Sequence, residues 1–403
     1  MKKKGIYLDY AATTPIDSAV LKLMNDVCLS FYANPTSLHE PGRLAKKRIE
    51  EARTLVANIL EVKSSEIIFP GSGTEADNLA LFGIAHANKH FHFGKHIIIS
   101  TIEHKAILES AERLKKEGFE ISYAPVDKDG ILDINKFKKL LREDTILVSI
   151  IYANNEIGTI QPMKEIAKII KNFRSSHSGT NYPLFHTDAC QAAGALNISI
   201  KELGVDLMTI NGSKIYGPKG VGCLFIKKGI KIEPQIVGGG QEWGQRAGTE
   251  SISLIIGLAE ALKIAVGKQE KENVRLLKLR DYLIDKIEKN ISYIFLNGHR
   301  TKRLPNNINF SFTGIEGEAL VLYLDNAKIY CSTGSACSSL DLLPSHVLLS
   351  IGLTPELAHG SLRITLGRDT KMSDLDILVN QLVKIISNLR SISAIKINKN
   401  ERK

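Results

Sequence analysis

The sequence predicts an α/β protein with a mostly parallel central sheet that is covered by helices on both faces. Short apolar runs alternate with amphipathic stretches through the first two-thirds of the chain, a pattern typical of strands that are buried on both sides. The runs are 67–69, 97–99, 146–151, 184–185, 207–210 and 221–226, and the amphipathic stretches include 106–116, 134–141 and 164–173. Because ligands of such sheets bind beyond the carboxyl ends of the strands, we expect the functional residues directly after the apolar runs.

The last third of the chain predicts a smaller α+β domain. A helical stretch from Ser251 to about Lys289 is followed by short runs that alternate between strand-like and helix-like patterns. The strand-like runs are 307–312, 328–331 and 361–366, and the helix-like runs are 316–324 and 375–389. A chain of 403 residues also exceeds the size at which one hydrophobic core stops growing. We predict a large domain over 15–260 and a small domain built from 1–14 and 261–403.

Composition excludes several classes of protein. No stretch approaches the ~20 apolar residues that span a bilayer, and no apolar run follows the basic start of the chain, so we expect neither a membrane span nor a signal peptide. The five cysteines are scattered and odd in number, which favours reduced thiols in the cytoplasm. The net charge of +10 fits a solvated basic surface, with affinity for anionic partners as the alternative. No basic stretch is regularly interleaved with aromatic residues, so direct nucleic-acid binding is not expected.

Cys337 lies in the segment Gly334-Ser335-Ala336-Cys337-Ser338-Ser339, whose composition favours neither a helix nor a strand. A cysteine used for packing normally has apolar neighbours, whereas this one has small and polar neighbours. Such surroundings are typical of a nucleophile on a loop that solvent can reach. An accidental surface thiol is the alternative.

Two glycine-containing loops are candidate phosphate sites. Gly71-Ser72-Gly73-Thr74-Glu75 follows the first apolar run and opens a helix, where backbone N–H groups and the Thr74 hydroxyl could meet an anion. A plain strand–turn–helix with an N-cap is the alternative. The loop 238–249 ends in Thr249 and could supply a second phosphate contact that reaches across a subunit interface. A mobile surface loop is the alternative.

Asp188 and Lys214 suggest pyridoxal phosphate. Asp188 ends the run that begins at Leu184, and a buried carboxylate there needs a cation such as the protonated ring nitrogen of this cofactor. Gln191 could then donate to the phenolic oxygen of the ring, although an N-cap role for Asp188 is the alternative. Lys214 follows the next strand and could form a Schiff base with the cofactor, whereas Lys219 lies in a Pro-Lys-Gly turn where exposure is usual.

Two further residues have a functional and a structural interpretation. His104 follows the run 97–99 and could lie flat on a cofactor ring, or be merely structural. Arg363 sits inside an apolar strand, where a guanidinium needs an anionic partner. That partner is either a substrate carboxylate or the carboxylate of a structural ion pair.

Taken together, these segments resemble the pyridoxal-phosphate-dependent cysteine desulfurases of the housekeeping iron–sulfur-assembly type, within the class V aminotransferase family. The resemblance covers Tyr7 to about Leu389. The segments that carry it are 7–15, 34–37, 74–78, 103–105, 154–158, 186–188, 214–220 and 334–337. It implies a fold type I transferase that converts L-cysteine to L-alanine and holds the sulfur as a persulfide on Cys337.

The resemblance assigns a role to each candidate. Lys214 bonds to the cofactor, Asp188 faces the ring nitrogen and Gln191 meets the phenolic oxygen. His104 stacks on the ring and belongs to the catalytic set with Lys214 and Cys337. The residues implied to hold the phosphate are Gly73, Thr74, Asn211, Ser213 and Thr249, the last from the partner subunit. The residues implied to hold the substrate carboxylate are Arg363, Asn155 and Asn34. No metal is implied.

The chain departs from the family at Ser213, where a histidine commonly precedes the Schiff-base lysine. Cys331 could be a resolving thiol, or pack at a strand end. By resemblance we expect a homodimer and sulfur-acceptor proteins for iron–sulfur cluster assembly or tRNA thiolation. The alternatives are a selenocysteine lyase or related β-eliminating enzyme, and a sulfur-relay scaffold without catalysis. Intact Lys214, Asp188, Arg363 and Cys337 argue against the last.

Overall fold

The computed structural model describes residues 5–91, 94–176, 181–333 and 343–392, and its largest element is a seven-stranded sheet. In chain order the strands are β1 (Ile6–Tyr7), β2 (Ile67–Ile68), β3 (His96–Ser100), β4 (Glu120–Ala124), β5 (Thr145–Ser149), β6 (Leu184–Asp188), β7 (Leu207–Asn211), β8 (Gly222–Ile226), β9 (Ile294–Leu296), β10 (Asn307–Phe312), β11 (Ile329–Tyr330) and β12 (Ser361–Thr365).

The helices are α1 (Ser18–Ser30), α2 (Glu40–Leu60), α3 (Gly73–Phe91), α4 (Lys105–Lys116), α5 (Ile134–Leu140), α6 (Met163–Ser176), α7 (Ile200–Leu203), α8 (Ile252–Asn290), α9 (Gly317–Asn326), α10 (His346–Ser350), α11 (Pro355–His359) and α12 (Met372–Ile392). None of the helices in the described ranges combines the length and the apolar character needed to cross a membrane.

The large sheet has the strand order β2-β8-β7-β6-β5-β3-β4. The strands from β7 to β4 pair in parallel, and β8 runs antiparallel to both of its neighbours. Ile98 points into the core on one face of the sheet, and Ile97 and Ile99 point into the core on the other. Both faces are therefore buried, which confirms the predicted α/β class with a mostly parallel sheet.

A second core lies around the antiparallel sheet β9-β10-β12. It is covered by α9, α12 and the second half of α8, with β1 and β11 paired in parallel beside it. The long helix α8 contributes to both cores, since Leu258 and Leu262 pack in the first and Leu283 and Ile287 in the second. The predicted division into 15–260 and 1–14 plus 261–403 stays a prediction.

Each apolar run of the first two-thirds overlaps a strand of the large sheet. The run 146–151 leaves the sheet after Ser149, and Ile150 and Ile151 continue toward the carboxyl edge. The helices α1 and α2 were not predicted, because charged residues surround the narrow apolar stripe of α2 at Ala45, Ile49 and Val56. Neither was the half-exposed edge strand β4. The carboxyl edge is nevertheless where the predicted functional residues meet.

Candidate active site

A cavity of about 550 Å³ opens at the carboxyl edge of the large sheet and extends to β12. Most of the predicted site residues line it. These are Gly73, Thr74, His104, Asn155, Asp188, Gln191, Asn211, Lys214 and Arg363. We call the part formed by Gly73, Asp188, Asn211 and Lys214 the cofactor end, and the part formed by Asn155, Glu156, Ser345 and Arg363 the substrate end.

The cofactor end contains a cradle that only glycine can form. Gly73 begins α3, and a Cβ atom there would lie 2.9 Å from Cys190 Sγ and 3.2 Å from Asn211 Cβ. The Ser72 hydroxyl caps the helix by accepting from the Glu75 N–H at 3.0 Å. The open helix N-terminus with its N–H groups suits an anion such as a phosphate.

Asp188 is buried at the end of β6 with a second carboxylate beside it. Its Oδ1 accepts from the Cys190 N–H at 2.8 Å. The ligand atoms of Asp77, His104 and Asp188 all lie within 4.8 Å of one another. Asp77 Oδ1 has no hydrogen-bond partner among the described residues, and burial, together with the charge of Asp188, raises the pKa of Asp77 well above its usual range. The buried carboxylate of Asp188 at this cavity needs a cation, and a protonated ring nitrogen or a metal ion would each supply it.

His104 serves as the N-cap of α4. Its Nδ1 accepts from the Ala106 N–H at 3.1 Å, so the proton of the neutral ring is placed on Nε2. Because the backbone fixes one nitrogen, the ring is held at the wall of the cavity.

Lys214 lies on a short 3₁₀ helix, Gly212–Lys214, directly after β7. Its Nζ donates to the carbonyls of Ala11 and Ala12 at 2.9 and 2.6 Å. Gln191 Nε2 also donates to the Ala11 carbonyl, at 2.9 Å. The N-terminal segment therefore places the amine at the cavity, a role of backbone carbonyls that the side-chain pattern did not reveal. Lys219 is exposed.

Arg363 lies in β12 and is buried. Its Nη2 donates to Asp9 Oδ1 at 2.8 Å and its Nη1 to the Asn155 carbonyl at 3.3 Å. Its Nε is buried and has no hydrogen-bond partner within the described ranges. The structure thus contains the structural ion pair that was the alternative. The Arg363 guanidinium nevertheless borders the cavity, where a substrate anion would be a second acceptor beside Asp9.

Two buried carboxylic acids beside the cavity were missed as individual residues, although their motifs were noted. Burial raises the pKa of Glu103 to about 8, while its Oε1 accepts from the Ser100 hydroxyl and the Ile151 N–H at 2.5 and 2.7 Å. Burial also raises the pKa of Glu156 to about 7, and its Oε2 accepts from the Ser345 hydroxyl at 2.5 Å. Each motif gave a signal, but only the tertiary fold shows that these carboxylates are buried.

The remaining candidates lie elsewhere or outside the described ranges. Asn34 and Thr249 are exposed, and Ser213 is buried with its carbonyl accepting from the Thr14 N–H and hydroxyl, at 2.9 Å each. None of the three lines the cavity. Cys337 lies outside the described residues.

The described residues on either side of Cys337 in the chain can be located. Ser332 forms an antiparallel bridge with Arg363. Ser345 and His346 line the cavity. Cys331 is buried, and burial raises the pKa of its thiol.

The chain is similar to known proteins over nearly its whole length. The profile of the aminotransferase class-V family matches residues 6–378. The cysteine desulfurase IscS of Dictyoglomus turgidum is 50% identical over 394 residues, covering 98% of each chain. A solved NifS-like protein superposes with a TM-score of 0.88 at 36% identity, covering 95% of this chain and 100% of the other. SspA in complex with cysteine superposes with a TM-score of 0.76 at 31% identity, covering 90% of this chain and 98% of the other.

Proposed function

We propose that this chain, which belongs to the class-V aminotransferase family, is a pyridoxal-phosphate-dependent cysteine desulfurase that converts L-cysteine to L-alanine. The sulfur is held as a persulfide on Cys337. One observation carries the proposal: Lys214, Asp188 and Arg363 border a single cavity. Such a cavity offers an amine, a carboxylate for a ring nitrogen and a guanidinium for a substrate carboxylate.

The cavity fits pyridoxal phosphate better than a metal ion. The cradle at Gly73 suits the phosphate, and the buried carboxylate of Asp188 suits a protonated ring nitrogen. Lys214 is within the same cavity, where a metal site would gain nothing from a cationic amine. When bound, the cofactor supplies an electron sink for the pair released at the α-carbon.

Several residues that line the cavity then have separate roles in the reaction. Arg363 holds the substrate carboxylate and orients the amino acid. The Lys214 amine removes the α-proton at Nζ. Asp188 would accept a hydrogen bond from a protonated ring nitrogen, and His104 would lie beside the ring.

Sulfur leaves the substrate by attack of the Cys337 thiolate on the substrate's sulfur. The new S–S bond forms as the bond between Cβ and sulfur breaks, and the electron pair of that bond remains with the carbon skeleton. Protonation of Cβ then yields the methyl group of alanine. The balance is one cysteine and one enzyme thiol giving one alanine and one enzyme persulfide, so no external oxidant or reductant is needed until the sulfur is passed on.

The proposal is tested by incubating the purified, cofactor-loaded protein with L-cysteine and measuring alanine and total sulfane sulfur. We expect the two to form in equal amounts in the first turnover. Pyruvate and ammonia with sulfide in place of alanine would contradict the proposal and indicate β-elimination. A parallel incubation with L-selenocysteine tests the lyase alternative, which requires that substrate to be strongly preferred.

A homodimer forms part of the proposal. Large apolar side chains are strongly exposed at the end of α1, on the segment between α1 and α2 and on the loop before α8. These are Leu29, Tyr32, Leu38, Val237 and Trp243. The exposed Thr249 follows the same loop, which is compatible with a phosphate contact from the partner subunit. Light scattering at micromolar concentration should give the mass of two chains.

We further propose that the protein works in the cytoplasm and gives its sulfur to an acceptor protein for iron–sulfur cluster assembly. The scattered cysteines support a reducing compartment, since Cys28, Cys190, Cys223 and Cys331 are free thiols. A tRNA-thiolating enzyme is the other acceptor that the family resemblance implies. Transfer of labelled sulfur to a purified cluster scaffold or to a tRNA-thiolating enzyme distinguishes them.

A further inference from the structure

Glu156 and Ser345 form a buried side-chain hydrogen bond at the substrate end. Glu156 is 5% exposed and Ser345 is 5% exposed, and the Ser345 hydroxyl donates to Glu156 Oε2 at 2.5 Å. Ser345 is also the N-cap of α10, where its Oγ accepts from the Leu348 N–H at 3.3 Å. The mechanism above assigns no step to either residue.

The backbone around Glu156 is fixed from two sides. Its N–H donates to Asn154 Oδ1 at 2.8 Å, and its carbonyl accepts from Asn309 Nδ2 at 3.1 Å. Asn309 belongs to β10, so this contact joins the loop after β5 to the small sheet. The Glu156 carboxylate therefore extends from a rigid point, and its hydrogen bond constrains Ser345 rather than the reverse.

The same loop also holds the guanidinium of Arg363, which we propose to bind the substrate carboxylate. The Asn155 carbonyl accepts from Arg363 Nη1 at 3.3 Å, and Arg363 exchanges backbone hydrogen bonds with Ser332 at 2.7 and 3.3 Å. In the chain, Cys337 lies between Ser332 and Ser345. Of the described residues on either side of Cys337, Ser332 is therefore hydrogen-bonded to Arg363 and Ser345 to Glu156. Arg363 in turn donates to the Asn155 carbonyl, next to Glu156 in the chain.

We infer that Glu156 is a positioning residue that, through Ser345, fixes one attachment of the Cys337-bearing stretch relative to the substrate carboxylate at Arg363. The inference rests on the proposed function and deepens it. The rate at which a tethered thiolate reaches a bound substrate depends on how its attachments limit the accessible geometry. Substrate binding, by contrast, depends on Arg363 itself.

The experiment compares kcat and KM for L-cysteine in the cofactor-loaded Ser345→Ala variant. Loss of this short, buried hydrogen bond should lower kcat ~10-fold, while KM stays within about twofold because Arg363 is untouched. Ser345→Thr keeps the hydroxyl and should restore most of kcat. Glu156→Gln keeps the α10 cap and the side-chain shape, and should lower kcat in the same direction without weakening cysteine binding.

Two variants control for effects unrelated to Glu156. Thr354→Ala removes the corresponding N-cap hydroxyl of α11, which accepts from the Leu357 N–H at 3.4 Å. Ser350→Ala removes another hydroxyl contact of α10, to the Thr101 carbonyl at 3.2 Å. Both should keep kcat within about twofold of the unmodified protein.

The outcomes separate this inference from the proposed function. Unmodified protein that makes no alanine contradicts the proposed function. Active unmodified protein, with Ser345→Ala and Glu156→Gln no slower than the two controls, overturns only the positioning role. A raised KM with unchanged kcat also overturns it, because the contact would then serve Arg363. In the double variant that combines Ser345→Ala with Glu156→Gln, a loss of kcat equal to the larger single loss supports action of Glu156 through Ser345. A loss equal to the product of the two single losses contradicts it.

Discussion

The cofactor end and the substrate end of the cavity differ in how the fold assembles them. At the cofactor end, Gly73, Asp188 and Lys214 follow strands of one sheet, so their separation is set by the spacing of paired strands. At the substrate end, Arg363 comes from the small sheet, Asp9 from the N-terminal segment and Glu156 from the loop after β5.

This difference predicts how each end responds to change. The cofactor end depends on backbone geometry within one buried sheet, so removing a side chain deletes a function and leaves the frame intact. The substrate end depends on side-chain contacts between two cores, so a single lost contact changes the relative placement of substrate and nucleophile. Substitutions at the cofactor end should therefore abolish activity, and substitutions at the substrate end should reduce it in a graded way.

The largest effect is expected at the cofactor end, for Lys214→Ala. The change deletes the amine that we propose to hold the cofactor and to move the α-proton, so alanine formation should fall by at least ~10³-fold. The variant should also lose the visible absorption of the covalently held cofactor while keeping its melting temperature without cofactor. Lys219→Ala, at an exposed lysine in the same loop, is the matched control and should behave as the unmodified protein. Equal loss in both variants would refute the assignment of Lys214.

Cys337→Ser should separate the two ends. The cofactor-end residues remain, so the protein should stay yellow and change its spectrum when cysteine is added. A serine hydroxyl is a far poorer nucleophile toward sulfur, so alanine formation should almost cease. Cys331→Ser is the control, and because Cys331 is buried in the small core we expect activity within a few-fold. Normal turnover of Cys337→Ser would disprove the thiolate mechanism.

Arg363→Lys should give a graded effect at the substrate end. A point charge replaces a planar fork, so KM for cysteine should rise ~10-fold or more while kcat falls less. Asp9→Asn removes the ion-pair partner at 2.8 Å but keeps the guanidinium, and should raise KM much less. If Asp9→Asn matches Arg363→Lys, Arg363 acts mainly as a structural ion-pair partner.

The smallest effect concerns pH and Glu103. Its pKa in the folded protein is raised to about 8, above the ordinary glutamate value, so the folded state holds this proton more tightly than the unfolded chain does. The stability that this proton contributes is fully present below the ordinary value and is lost as pH rises toward 8.

Glu103→Gln removes that titration, so its melting temperature relative to the unmodified protein should rise between pH 5 and 9. The exposed Glu318 gives the control variant Glu318→Gln, for which the difference should stay flat with pH. A flat difference for Glu103→Gln as well would show that this carboxyl is ionised in both states.

Much of the cofactor end could be predicted from the sequence, because buried strands show as apolar runs and functional residues follow them. Arg363 could be found because a guanidinium inside an apolar strand needs an anionic partner. Glu103 and Glu156 were not found as individual residues, since a glutamate in a loop gives no sign of its burial. The carbonyls of Ala11 and Ala12 were also missed, since backbone acceptors carry no sequence signal.

The roles of Ser213, Asn34 and Thr249 stay predictions, because the structure places none of them at the cavity. For Thr249 the predicted contact involves a second subunit, so its absence from the cavity of one chain does not contradict the prediction. The helix α2 was missed because its many charged residues mask a narrow stripe of buried alanine and valine.

The central claim is tested most directly by a single turnover of the cofactor-loaded protein with one equivalent of L-cysteine. Alanine is quantified, and the digested protein is examined by mass spectrometry without reduction. We expect equal molar amounts of alanine and of the Cys337-containing peptide that carries the added mass of one sulfur atom. Alanine without sulfur on that peptide, or sulfur on the peptide of Cys331 alone, would contradict it.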